Sequence, residues 1–66
     1  MAEGTVEWFS DSKGFGSIRA ESGVEVRVHF SAIRGDGLRK LARGDEVRFE
    51  IRETQLGLEA ANVVRN

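Results

Sequence analysis

Glu46-Val47-Arg48-Phe49-Glu50-Ile51-Arg52 alternates charged and apolar side chains without a break. Successive side chains of an extended backbone point to opposite faces, so a period of two marks a strand with one face in a core and the other in water. Val47, Phe49 and Ile51 are expected inside. Arg48, Glu50 and Arg52 are expected outside, where cross-strand ion pairing is their ordinary role. Upstream, Val24, Val26 and Val28 alternate with Glu25, Arg27 and His29 in the same way, which predicts a second half-buried strand with its valines inward.

The remaining segments fit the same pattern. Gly4-Thr5-Val6-Glu7-Trp8-Phe9 is rich in β-branched and aromatic residues and runs into the turn formers Ser10-Asp11-Ser12-Lys13-Gly14. Phe15 to Arg19 reads as a short strand closed by Ala20-Glu21-Ser22-Gly23, and Glu59 to Val64 as a last one after the turn Thr54-Gln55-Leu56-Gly57. Ser31-Ala32-Ile33 has room for one helical turn, and Leu38 to Gly44 reads as a loop in the longest connection. Five strands without a substantial helix predict an all-β, antiparallel barrel, in which closure protects the strand edges of a short chain. Strict alternation would put Val6 and Trp8 on one side, and a bulge near Glu7 would separate them.

The chain has 66 residues, enough for one domain, residues 1–66, with a thin core. It contains no cysteine, so neither a disulfide framework nor a thiolate metal site is available. The cytoplasm is the expected compartment. No apolar run reaches the roughly 20 residues of a membrane span, and Met1 to Ser10 lacks the pattern of a secretory signal. Ten Lys and Arg stand against eleven Asp and Glu, a net charge of -1, so no global field draws in a polyanion. A nucleic-acid site would have to rest on a local set of rings and cations, with acidic residues kept on the opposite side.

Such a set is visible. Of the five aromatic residues, Trp8, Phe9, Phe15 and Phe30 fall within the first thirty positions, beside glycines and basic groups. A ring next to a positive charge on an extended backbone suits stacking under an unpaired base, because every base has a π face and every linkage a negative charge. Phe15 between Gly14 and Gly16 can equally be a core ring beside a tight turn, and Trp8 can be half buried. Phe30 follows His29 and points inward by alternation, unless the end of the strand releases it to the rim. Lys13 is either a solvated loop lysine or a phosphate contact two residues from Phe15. His29 has no second histidine or cysteine to complete a zinc site. Gly14-Phe15-Gly16 and Gly35-Asp36-Gly37 each lack the third glycine of a dinucleotide-binding turn, Arg19 and Lys40 standing in its place.

These residues taken together resemble the cold-shock domain, an OB-type five-stranded barrel that binds single-stranded RNA and DNA. The resemblance runs end to end: Gly4-Thr5-Val6 with Trp8-Phe9, Lys13-Gly14-Phe15-Gly16 with Ile18, Val26 with Val28-His29-Phe30-Ser31-Ala32-Ile33, Gly37 with Leu41, and Ala60-Ala61-Asn62-Val63. It implies a stacking platform at Trp8, Phe15, His29 and Phe30 with Lys13 beside it on a phosphate, a monomer acting as an RNA chaperone, and no cofactor, metal or membrane. The chain departs from the family where Ser17, Arg27 and Leu38 replace phenylalanines, where Glu7 replaces a lysine common among relatives, and where Leu58 replaces a proline. At about 1 to 3 kcal/mol per lost ring, affinity is expected to fall to micromolar or poorer. Arg27 offsets part of the loss by lying its guanidinium plane against a base, and Leu38 by covering one with apolar surface.

Two other classes of function compete. A barrel that has lost nucleic-acid binding would serve as a protein-interaction or structural module, a reading that Ser17, Arg27, Leu38 and Glu7 favour. An enzyme would need His29 and Glu25, four residues apart on one strand face, to act as an acid–base pair in a water-excluding pocket, for which a thin barrel has little volume. The chain is expected not to be an enzyme.

Overall fold

The computed structural model describes residues 1–35 and 39–66. Its strands are β1 (Ala2–Ser10), β2 (Phe15–Ala20), β3 (Glu25–His29), β4 (Glu46–Thr54) and β5 (Gly57–Arg65), and one 3-10 turn spans Phe30–Ala32 directly after β3. They close into a barrel in the order β1-β2-β3-β5-β4, β4 returning to β1. Every pairing is antiparallel except β3 with β5, where Arg27 lies opposite Glu59 in parallel. The expected five-stranded barrel is present, and its one parallel seam has a geometric reason. Strand directions cannot alternate around a ring of odd number, so a closed five-stranded barrel needs at least one parallel neighbour.

The inward faces supply a core in which Val6, Ile18, Val26, Val28, Val47, Phe49 and Val63 are essentially fully buried. The register of β1 against β2 shifts between Val6 and Trp8, so Val6 opposes Ile18 and Trp8 opposes Ser17. This is the bulge expected near Glu7: it leaves Val6 in the core and turns Trp8 outward, 47% exposed. Ile33 and Leu41, on either side of the undescribed residues, are also buried in the cluster.

Two apolar residues assigned to the core lie outside it. Val24 is 42% exposed because the chain is still turning there, and β3 begins only at Glu25. Ile51 is 42% exposed although it continues the alternation of Val47 and Phe49. The last pairing of β4 with β1 is Phe49 with Ala2, so beyond it β4 and β5 run on without β1 to cover Ile51. On the outer face of β4, Arg52 contacts Glu50 along its own strand at 3.4 Å, and the cross-strand partner of Glu50 is the Asn62 amide at 3.2 Å, not an arginine. Among the described residues no helix is long and apolar enough to cross a membrane.

Candidate nucleic-acid interface

The outward faces of β1, β2 and β3 carry the candidate residues in two rows. Phe15 is paired directly with His29, while Trp8 is paired with Ser17 and Ser17 with Arg27. Trp8 meets Phe15 edge to face, with ring centroids 5.8 Å apart and planes at 74°. Beyond the end of β3 the Phe30 ring lies 4.5 Å from the His29 ring at a tilt of 40°. Trp8, Phe15, His29 and Phe30 therefore follow one another across a single surface.

Local backbone contacts fix that succession. The Phe30 N–H donates to the Gly14 carbonyl at 2.8 Å, tying the start of the 3-10 turn to the β1–β2 turn. Gly14 has φ +78, and a Cβ there would stand 2.8 Å from the Phe30 ring, so glycine is needed both for the turn and for the ring's approach. Phe30 is 42% exposed: the chain leaves the strand at this residue and its ring goes to the rim instead of following the alternation inward. His29 caps the turn by accepting the Ser31 N–H at Nδ1, 3.3 Å, with the Ser31 hydroxyl 2.9 Å from the same atom. In the neutral imidazole this assigns the ring proton to Nε2.

Three surface clefts run along the rings. Lys13, Phe30 and Arg39 line one of about 440 Å³, Phe15, Arg27, His29 and Glu59 one of about 390 Å³, and Trp8, Phe15, Ser17, Arg27 and Leu56 one of about 440 Å³. Lys13 thus shares a cleft with Phe30. Lys40 is 3.7 Å from Asp11, an ion pair on the same rim. Leu38 lies outside the described residues. Arg27 reaches the Leu56 carbonyl only weakly, at 3.4 Å, so most of its donors remain available.

Acidic residues are not segregated to the opposite side, contrary to the expectation from composition. Glu7, Glu25 and Glu59 all line clefts of this region. Arg19 gathers two of them, donating to Glu7 at 2.8 Å, to Glu25 at 3.2 Å and to the Gly23 carbonyl at 3.0 Å, while Ser17 Oγ donates to Glu7 at 3.5 Å. The hydrogen bond from Arg19 is the main cause that holds the Glu7 carboxyl below the usual glutamate range, and Glu7 in turn raises the Arg19 guanidinium. A carboxyl whose folded value is depressed contributes stability above its unfolded value and loses it as pH falls through the folded one. The melting temperature of Glu7→Gln is therefore expected to fall less than that of the parent between about pH 6 and about pH 3. Equal falls would show that the pair adds nothing, the common result for exposed ion pairs.

His29 and Glu25 do not meet as an acid–base pair, since His29 is engaged by Ser31 and Glu25 by Arg19. Among the described residues no group of three or more His, Asp or Glu is placed to hold a metal ion. Glu59, Leu56 and the Arg19 clamp were not legible as parts of this surface. Glu59 joins it only through the parallel seam with β3, a pairing of distant segments that local periodicity does not encode.

Residues 2–66 match the family described as the 'Cold-shock' DNA-binding domain. The chain is 53% identical to Cold shock-like protein CspD of Bacillus cereus over 66 residues, covering 100% of both. It is 52% identical to Cold shock protein CspD of Bacillus subtilis (strain 168) over 65 residues, covering 98% of both. In fold it is similar to the solved structure of drosophila Unr CSD456, with a TM-score of 0.79 at 24% identity, over 98% of this chain and 26% of that one.

Proposed function

The chain belongs to the cold-shock domain family, whose members bind nucleic acid, and from that premise we propose that it binds single-stranded RNA or DNA by stacking unpaired bases on Trp8, Phe15, His29 and Phe30. The observation that carries this reading is the display of Trp8, Phe15 and His29 on neighbouring strands β1, β2 and β3, with Phe30 beside His29 just past the end of β3 and clefts along them. Each ring offers a base an apolar plane, and stacking tolerates any base because it needs only the π face. Lys13 and Arg27 supply positive charge beside the rings, Lys13 to a linkage near Phe30 and Arg27 near Phe15. The protein acts as a monomer without chemistry of its own: bases held on rings cannot pair, so an RNA strand stays open in the manner of an RNA chaperone.

Weak binding follows from the row that begins at Trp8. Trp8, Ser17 and Arg27 lie side by side, so the two missing phenylalanines leave a gap between the indole and Phe15 on one side and the β5 seam on the other. The carboxylates of Glu7 and Glu25 border the same end and repel phosphate. Ser17→Phe fills the centre of the row and is expected to raise affinity for a single-stranded oligothymidine about tenfold, while binding of a duplex of the same length stays poor for both proteins. Titration across a range of salt concentrations measures this, since stacking persists as ionic contacts fade. Equal or tighter binding of duplex would refute the stacking platform. Near-zero binding by the parent with a very large gain in Ser17→Phe would mean that the natural barrel has lost the function and serves as an interaction or structural module.

A further inference from the structure

Resting on the reading above, we infer that the cleft between Phe15, His29, Arg27 and Glu59 is a guanine-selective position within an otherwise base-tolerant platform. Arg27 and Glu59 are direct register partners across the parallel seam, and both line this cleft of about 390 Å³ with Phe15 and His29. Neighbours of opposite charge in this register are placed to pair, yet no ion pair within 4.0 Å joins them; the arginine leans instead on the Leu56 carbonyl at 3.4 Å. The two groups therefore stand on one edge of an aromatic floor as a set of donors beside a set of acceptors, each with hydrogen-bonding capacity left over.

Guanine is the base that matches both. Its N7 and O6 are adjacent acceptors that a guanidinium contacts as a fork, and its N1–H and N2–H groups are adjacent donors that a carboxylate accepts as a pair. The other bases meet a mismatch. Adenine and cytosine turn an amino donor toward the arginine, and uracil or thymine has one N–H flanked by two carbonyl oxygens, one of which would face the Glu59 carboxylate. A stacked guanine offers the Glu59 carboxylate two adjacent N–H groups, whereas each of the other bases offers it a single donor group.

The test uses a short oligothymidine and a set of the same oligomer with one guanine moved along it, competed against a labelled probe by fluorescence anisotropy. The parent protein is expected to prefer the guanine probe at one position by about fivefold or more, the ratio of a single well-made edge contact. Inosine at that position, which lacks the N2 amino group, should lose part of the preference in the parent and none in Glu59→Ala, which has no acceptor there. The 7-deaza analogue of guanine should lose part in the parent and none in Arg27→Ala. Both side chains are on the surface, and melting curves confirm that the variants are folded; the analogue arms use the unaltered protein and do not depend on them. A flat scan with intact binding overturns the guanine position while leaving the stacking platform in place. A preference that survives in both variants overturns the assignment to Arg27 and Glu59. Failure of every probe to bind overturns the platform and this inference together.

Discussion

Phe49→Ala is expected to remove a large part of the protein's folding stability. Phe49 is the largest fully buried side chain of the barrel, and it sits where β4 makes its last pairing with β1. Removing a buried phenyl ring costs about 3 to 5 kcal/mol, because the cavity left behind adds to the lost burial. At typical stability per residue, a 66-residue domain has only about 3 to 10 kcal/mol in total. The chain contains no cysteine, so no disulfide makes up the difference. Denaturant titration followed by far-ultraviolet circular dichroism measures the change. A loss below about 1 kcal/mol would mean that the site collapses around the cavity and that the core is less tightly built than its burial indicates.

Phe15→Ala has the opposite signature, a large loss of binding with little loss of fold. The ring is half-buried on the outer face, contacts Trp8 edge to face and is paired with His29, so it stands at the middle of the proposed platform. Truncation removes a stacking surface worth about 1 to 3 kcal/mol, a drop in affinity of about 5- to 150-fold for a single-stranded oligonucleotide. The stability change is expected near 1 kcal/mol, from the lost ring pair alone. Isothermal titration and a melting curve on the same sample separate the two effects. Unchanged affinity, or a loss explained wholly by unfolding, would mean that the ring is a packing residue.

These contrasting outcomes mark what periodicity can and cannot disclose. Alternation states which side of a strand a residue is on, and so Val26, Val28, Val47 and Phe49 were legible as core and Arg27 and His29 as surface. It does not state whether anything covers that side. Ile51 continues the pattern of β4 but lies past the last β1 pairing, and Val24 precedes its strand. The bulge between Val6 and Trp8 was legible because two large apolar groups competed for positions that one continuous strand could not give them. The candidate site was legible in its rings, since Trp8, Phe15, His29 and Phe30 sit beside the turn and strand residues that display them. Its electrostatics were not. Glu59 reaches the platform through a pairing between strands separated by β4, and Glu7 is turned toward Arg19 by the bulge, so neither position follows from neighbours in sequence.

With a net charge of -1 and three glutamates bordering the rings, the binding proposed above would draw little on long-range attraction and would depend on contact. Binding is therefore expected to be modest in strength and only weakly sensitive to salt.

The most direct measurement is the fluorescence of Trp8, the sole tryptophan, during titration with a single-stranded oligothymidine at low salt. An indole 47% exposed at the edge of Phe15 is expected to be quenched progressively and to saturate as a base stacks on it. Emission that stays unchanged up to high micromolar oligonucleotide would contradict the platform on which the functional account depends.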